Sequence, residues 1–338
     1  MSKFVYLLIL IIPTIGHGFE YKPTQAYSRG GTTLTFKNNY TNQILNNPSL
    51  LSDNDRFFLE INATADLSSD SLELIKNQPE LVPGQYESTL DPYFGTYNRA
   101  NAYGSGAIGY KNFALLPYMK SGNAEINLTN KVFPEAFYSL IIDTSHYLAY
   151  GQKVNKNLSL GASVGLVKRE IQEGTAEALN FDAGIKENKT SSEVINSNLS
   201  LNYNFLNKLN SSAHFSILNL NNPKFTDDNV IGSWGGELKR KYNMGFKSEY
   251  KDFSLGVELQ DMFSSTLLAN KTHLGLEYKL SDYFSLSTGL NQGYLSYGAN
   301  LKIWRVMEIN FASYELNRYQ FYRSSSRQYS INISLGWL

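Results

Sequence analysis

Cysteine is absent from this 338-residue chain, and proline, histidine and charged residues are scarce. Without cysteine there is no disulfide framework and no thiolate metal site. His146, His214 and His273 lie far apart in the sequence, so none has a second histidine at the spacing of a zinc-binding motif. We therefore assign no catalytic, cofactor-binding or metal-binding residue, and we expect neither a cofactor nor a metal.

Charge of one sign is not in excess either. Lysine and arginine number 30, aspartate and glutamate also number 30, and charged residues make up 18% of the chain, below the roughly 25% of soluble domains. A balanced chain lacks the basic surface that binds phosphates, which argues against nucleic acid as a partner. Aromatic residues, by contrast, are abundant, with 24 Tyr and 19 Phe.

Long apolar runs are missing except in residues 4–12. Lys3, this run and the small residues leading to Gly18 follow the pattern of a secretory signal peptide. We expect residues 1–18 to be removed, with cleavage near Gly18/Phe19. An N-terminal membrane anchor is the weaker alternative, because nine apolar residues are far fewer than the roughly 20 that a spanning helix needs. No later run is long enough for a transmembrane helix.

Alternation of apolar with polar or small residues dominates the rest of the chain and is clearest in residues 271–338. Side chains of a strand point alternately to its two faces, so such a segment has one apolar and one polar face. In the last segment the apolar face carries Tyr329, Ile331, Ile333, Leu335 and Trp337. The short gaps between successive segments favour antiparallel strands joined as hairpins.

Two environments can receive the apolar faces, namely lipid or the second sheet of a soluble secreted β protein. Segment lengths near 9–11 residues favour a tilted bilayer crossing over the usual soluble strand of about 5–6 residues. Aromatics at segment ends, such as Tyr283, Trp304 and Trp337, suit interfacial girdles, and the apolar rows contain no charge. The sequence therefore predicts an all-β fold, an antiparallel transmembrane β-barrel of about 12–14 strands that contacts outer-membrane lipid.

The first half of the chain is less regular. Residues 57–66 read as the first strand and residues 68–76 as a short helix, followed by a long connection. Residues 170–189 and 221–234 are polar and read as excursions from the barrel, the first with a little helix. Residues 19–51 contain Gly-Gly and Asn-Asn-Pro sequences and do not read as a strand.

We accordingly divide the chain into a signal peptide of residues 1–18, an N-terminal plug or lead-in segment of residues 19–56, and a barrel of residues 57–338.

Several ordered motifs resemble one superfamily. They are AYSRGG and NNPSLLSDNDRFFLEI near the N-terminus, FSILNLNNPKF in the middle, and HLGLEYKL with NFASYEL near the end. This set resembles outer-membrane barrels of the long-chain fatty-acid transporter (FadL) type, whose superfamily includes PorV-like and conjugal-transfer TraF-like branches. The resemblance implies about fourteen strands with the N-terminal segment folded inside as a plug. An empty barrel of that size would leak, which agrees with this expectation.

Three functions are open at this point. The first is a channel or transporter for small hydrophobic molecules across a Gram-negative outer membrane, gated by the plug. The second is a structural or shuttle component of a secretion or conjugal-transfer apparatus, with envelope secretion proteins as partners. The third and most distant is a barrel-embedded hydrolase, but the adjacent Ser145 and His146 would point to opposite faces of a strand. We therefore expect a protein that is not an enzyme.

Charges on the polar faces have two interpretations. Glu258, Glu277 and Lys302 could line a path through the barrel or form ion pairs across neighbouring strands, and the pairing interpretation is favoured.

Overall fold

The strands of this protein close into one barrel. The computed structural model describes residues 21–77, 98–129, 135–177, 186–205, 207–225, 236–304, 306–316 and 326–337. The strands are β1 (Phe57–Ser68), β2 (Asn98–Tyr110), β3 (Phe113–Thr129), β4 (Glu135–Lys153), β5 (Leu158–Glu177), β6 (Lys186–Asn204), β7 (Ser212–Leu218), β8 (Lys241–Tyr250), β9 (Phe253–Leu259), β10 (Thr272–Lys279), β11 (Phe284–Asn291), β12 (Tyr294–Ile303), β13 (Met307–Leu316) and β14 (Ser326–Trp337). The helices are α1 (Thr24–Ser28), α2 (Tyr40–Asn46), a 3₁₀ helix (Pro48–Asp53), α3 (Ser69–Asn77) and α4 (Leu268–Lys271).

Every strand pairs antiparallel with its sequence neighbours, and β1 pairs with β14 to close the sheet. Closure removes both sheet edges, so every strand has a partner on each side. The predicted all-β antiparallel barrel is confirmed, with a strand count at the top of the expected 12–14. No helix in the part of the chain that the structure describes has the length and apolar character to cross a membrane.

The two faces of the wall differ as the alternation predicts. On β14, Ser330, Asn332 and Ser334 are buried on the inner face, whereas Ile331 and Ile333 are exposed on the outer face. An exposed apolar row in a closed barrel is the surface that lipid covers. The side chain of Trp337 lies outside the described residues.

The two ends of the barrel also differ. At one end, called here the turn end, the strands are joined by short turns such as residues 111–112 and 251–252. The longer connections lie at the opposite end of the barrel, called here the loop end, as at the extracellular end of outer-membrane barrels. Exposed aromatics ring the turn end, including Phe57, Tyr110, Phe113, Tyr150, Tyr250, Phe253, Tyr283 and Trp304. This ring is the expected interfacial girdle.

The wall is tall on one side and low on the other. Strands β3 to β6 have 17, 19, 20 and 19 residues, whereas β9, β10 and β11 have 7, 8 and 8. The prediction of segment lengths near 9–11 residues holds for β8, β12 and β13, with 10 residues each, and is wrong for these longer and shorter strands. With about 3.4 Å per residue and a tilt near 40°, the tall side rises about 50 Å and β9 only about 18 Å.

The prediction of a polar excursion at residues 170–189 is wrong in its described part. β5 continues to Glu177 and β6 begins at Lys186, with Thr175 opposite Lys186, and residues 178–185 lie outside the described residues. These strand ends are polar because they extend beyond the apolar band. Backbone pairing there requires no apolar face, so polarity alone does not mark a loop.

The smaller predictions had mixed outcomes. The strand at residues 57–66 and the helix at residues 68–76 are confirmed as β1 and α3. Most of the long connection after α3 lies outside the described residues, as do residues 226–234 of the expected excursion at residues 221–234 and the expected signal peptide of residues 1–18.

Candidate functional site

Residues 21–56, called here the N-terminal segment, run along the inner face of the barrel. Nearly all side chains between Tyr21 and Ser52 are buried, with Lys37 the exposed exception. Pro48 occupies the start of the 3₁₀ helix, the position where its fixed backbone angle suits a helix. A buried irregular segment must satisfy its backbone groups internally, and the wall supplies the partners.

Glu258 of β9 binds a turn of the segment. Its carboxylate accepts hydrogen bonds from the backbone N–H groups of Thr33, Leu34 and Thr35 at 3.0, 2.8 and 2.7 Å, and from Thr35 Oγ1 at 2.8 Å. Gln260 Nε2 donates a further bond at 2.8 Å. A carboxylate with this many donors is a charge-assisted anchor, stronger than neutral hydrogen bonds.

Glu60 of β1 plays the same role at the start of α2. It accepts from the backbone N–H groups of Tyr40 at 2.9 Å and Thr41 at 3.3 Å, donors that have no partner within the helix. Asn39 caps the same helix by accepting from Asn42 N at 2.9 Å. One wall carboxylate and one local cap thus satisfy the helix start.

Two further wall glutamates hold side chains of α1 and its surroundings. Glu277 of β10 forms a largely buried ion pair with Arg29, and Glu308 of β13 accepts a hydrogen bond from Gln25. Arg29 also lies 4.5 Å from the ring centroid of Phe36, a cation–π distance. The four glutamates Glu60, Glu258, Glu277 and Glu308, called here the wall glutamates, therefore all contact the segment.

This arrangement corrects the interpretation of the polar-face charges. Glu258 and Glu277 do not pair across strands but bind the N-terminal segment. Lys302 is exposed near the turn end of β12. The alternation of β1 places Glu60 on the polar face of that strand. The same pattern gives no sign of the backbone N–H groups that approach the Glu60 carboxylate.

Glycines permit the closest approaches. Gly30 and Gly31 have φ of +70° and +82°, a region that favours glycine. The N–H of Gly30 donates to Ser296 Oγ at 2.9 Å, and the carbonyl oxygen of Gly30 accepts from His273 Nδ1 at 2.7 Å. On the wall, a Cβ at Gly161 would lie 2.1 Å from the backbone N of Ser49. The segment and wall thus fit backbone to backbone.

An ion-pair cluster lies near the turn end, where the segment leaves for β1. Asp53 contacts Lys37 Nζ at 2.9 Å and Lys153 Nζ at 3.1 Å. Burial alone would raise the pKa of the Asp53 carboxyl, but the two ammonium groups outweigh it and hold that pKa below its usual value.

The structure describes a cavity inside the barrel. A cavity of about 60 Å³ lies beside the segment against β1 to β4. Its lining comprises Lys22, Tyr27, Asp66, Arg99, Asn101, Tyr103, Ser121, Gly122, Asn123, Ile141 and Asp143. Towards the loop end, Asp143 accepts from Arg169 at 2.8 and 2.7 Å, and Phe225 lies 4.6 Å from that guanidinium. The β7–β8 connection therefore covers the interior at this point.

The inner face next to β2 to β6 carries an apolar cluster alongside buried polar side chains. The cluster contains Ile44, Leu45 and Leu51 from the segment and Tyr103, Ala107, Ala114, Leu116, Met119, Tyr147, Val167 and Val194 from the wall. The pairing of β3 with β4 shifts between Leu116 and Met119, next to Pro117, which has no N–H for the ladder.

The histidines are dispersed. His146 is exposed on the outer face while Ser145 is buried on the inner face, as predicted. His214 contacts Asn47 Nδ2 at 3.3 Å and Ser212 Oγ at 2.8 Å, and His273 binds Gly30. No group of three potential metal ligands occurs among the residues that the structure covers. The absence of catalytic and cofactor sites stays a prediction.

Known proteins provide a family and a fold. A family described as type IX secretion system membrane protein PorP/SprF matches residues 140–316. No curated protein has a sequence that matches the chain.

Solved structures resemble the whole barrel. The CymD monoaromatic hydrocarbon channel is 14% identical with a TM-score of 0.58, over 95% of this chain and 97% of that one. A Pseudomonas aeruginosa FadL homologue is 11% identical with a TM-score of 0.58, over 96% and 100%. The Ralstonia pickettii toluene transporter TbuX is 14% identical with a TM-score of 0.54, over 95% and 98%. At such identities the likeness concerns the fold alone.

Proposed function

Because the chain belongs to the family of type IX secretion system membrane proteins PorP/SprF, we propose that it is a plugged outer-membrane barrel serving as a structural component of a protein secretion apparatus. Its partners would be envelope secretion proteins, and the N-terminal segment would act as the plug. Family and fold are those of outer-membrane barrels.

The observation that carries this proposal is the way the segment uses the inner face. All four wall glutamates are engaged with it, and the cavity described beside it has a volume of about 60 Å³. A passage for solutes would need those charge-assisted bonds to be replaced. A barrel that stays closed suits an anchor or scaffold better than a pore.

The second candidate is a channel for small hydrophobic molecules. The apolar cluster beside β2 to β6 and the interrupted pairing at Pro117 support it, because an apolar solute would need a continuous apolar lining. The fold shared with hydrocarbon channels agrees with this candidate.

One variant separates the two candidates. Ser52 Oγ of the segment lies 2.9 Å from Ser159 Oγ of β5, so Ser52→Cys with Ser159→Cys places two thiols in reach of a disulfide. The chain has no other cysteine. Oxidation would lock the segment to the wall, and Ser52→Ala with Ser159→Ala is the control that cannot lock.

For a scaffold, the oxidised lock leaves secretion of the apparatus's substrates at the wild-type level in cells that lack the native gene. For a channel, the lock abolishes uptake of a probe such as toluene into vesicles, and reduction restores it. Planar-bilayer conductance that appears only after reduction, together with loss of secretion in the locked form, would refute the scaffold proposal.

We also propose that residues 1–18 direct export and are removed near Gly18. Mass measurement of the purified N-terminus tests this proposal, and an intact N-terminus would contradict it.

A further inference from the structure

The connection between β9 and β10, residues 260–271, exposes large apolar side chains at the loop end. Phe263 is 74% exposed, and Leu267 and Leu268 are each 68% exposed. Between Asp261 and Lys271 the sequence contains no charged residue. Three large apolar side chains exposed within one short connection indicate a surface that contacts something other than water.

The connection is a built structure whose backbone is held on both sides. Gln260 N donates to Lys271 O at 2.8 Å, and Met262 N donates to Tyr242 O at 2.9 Å. Lys271 Nζ turns inward and donates to the carbonyl oxygens of Met262, at 3.1 Å, and Ser264, at 2.5 Å. The connection thus binds its one cation to its own backbone and leaves its apolar side chains exposed.

The wall below this connection is too low for a membrane. β9 has seven residues and rises about 18 Å, whereas the apolar band of an outer-membrane barrel is about 25 Å tall. The outward row that includes Leu255, Val257 and Leu259 ends where the connection begins. About 7 Å of the apolar band is therefore missing from the strands on this side.

The β7–β8 connection at the same end is different. Its described part carries Lys224, Glu237, Lys239 and Arg240, as expected of a loop in water. Apolar exposure is thus a property of residues 262–270 and not of every loop-end connection that the structure describes.

We propose that residues 262–270 lie in the outer leaflet against acyl chains and complete the apolar band above β9 and β10. Lipid is the occupant because the patch continues the lipid-facing surface of the adjoining strands and lies at the height that those strands fail to reach. This proposal concerns membrane contact and holds for either function proposed above.

Site-specific fluorescence in the cysteine-free chain tests the proposal. Full-length Phe263→Cys and Leu267→Cys variants are each labelled with the fluorophore NBD and folded into phosphatidylcholine vesicles. Leu255→Cys, on the lipid-facing row, is the control for lipid contact, and Lys224→Cys is the control for exposure to water at the same end. Heat-modifiable electrophoretic mobility verifies that each variant is folded.

Two quenchers then report the surroundings. We expect nitroxide-labelled lipid to quench positions 263 and 267 to nearly the level of position 255, and aqueous iodide to quench them several-fold less than position 224. Iodide quenching equal to that at position 224 would overturn the proposal. Protection from both quenchers would also overturn it, because it would mean that protein covers the patch.

Discussion

Replacing Glu258 by alanine should release the turn of the N-terminal segment that this carboxylate holds. The three backbone N–H groups of Thr33, Leu34 and Thr35 point at it within 3.0 Å, and all these residues are buried. The alanine variant removes the acceptor and leaves those donors without a partner.

The size of the effect follows from the number of donors. A buried donor left unsatisfied costs about 1–3 kcal/mol, and a bond to a charged acceptor contributes about 1.5–3 kcal/mol. Water that enters the vacated volume offsets part of this loss. We therefore expect the free energy of opening the segment locally to fall by about 3 kcal/mol, which is about a 100-fold increase in the open population.

Hydrogen exchange of the amides of residues 33–35 in lipid measures that population. Glu258→Gln keeps the shape and one acceptor oxygen, so it should accelerate exchange much less than Glu258→Ala. Glu193→Gln, an exposed glutamate on β6, should leave exchange unchanged. Equal exchange rates in the wild type and Glu258→Ala would refute the assignment of Glu258 as an anchor of the segment.

Three further predictions concern the wall, the ion pairs and the lipid face. Gly161→Ala should destabilise the folded barrel by more than about 1–3 kcal/mol in urea titrations, because the new Cβ would lie 2.1 Å from a backbone atom. Gly104→Ala is the control and should be neutral, because no atom lies nearer than 3.7 Å to its Cβ. Equal unfolding midpoints for the two variants would contradict this prediction. Because the folded pKa of Asp53 is lowered, its stabilisation is present above the unfolded pKa near 4 and is lost as pH falls through the folded pKa. The hydrogen-exchange protection of the segment, corrected for the pH dependence of intrinsic exchange, should therefore decrease in that acid range. If Asp53→Asn shows the same dependence of protection on pH as the wild type, Asp53 is not its cause. Ile333→Arg, on the outer face of β14, should cost about 2–4 kcal/mol in folding into vesicles, while Gln172→Arg on the tall side beyond the apolar band should be tolerated; similar costs would mean that the band is misplaced.

The low side of the barrel was predictable from sequence, and the tall side was not. In β9 to β14 one face meets lipid and the other meets the segment, so hydrophobicity alternates and reveals each strand. In the outer parts of β5 and β6, Lys168 and Glu170 face outward beyond the apolar band. These residues adopt a strand conformation because their backbones pair with neighbouring strands. Such pairing requires no alternation of apolar and polar residues, so the sequence shows no strand pattern there.

The contacts of the segment were partly predictable. Its Gly-Gly and Asn-Asn-Pro sequences mark it as irregular, and the need to fill a wide barrel suggests a position inside. The wall glutamates as its anchors could not be predicted, because the backbone N–H of Thr33 or Tyr40 is the same in any sequence. Only the tertiary approach of the segment selects Glu258 and Glu60 as partners.

The order in which the chain is delivered to the membrane has a consequence for the N-terminal segment. The segment is the first described part to emerge, yet Glu258 follows Thr33 by 225 residues and Glu308 follows Gln25 by 283. Contacts of such separation form late and slow the search for the native state. Until β9 to β13 arrive, the parts of the segment that bind Glu258, Glu277 and Glu308 have no wall partner, although Tyr40 and Ser52 can already meet Glu60 and Ser159. The pairing of β1 with β14 then encloses the segment. If β1 paired with β14 before the N-terminal segment entered, the closed barrel would exclude that segment.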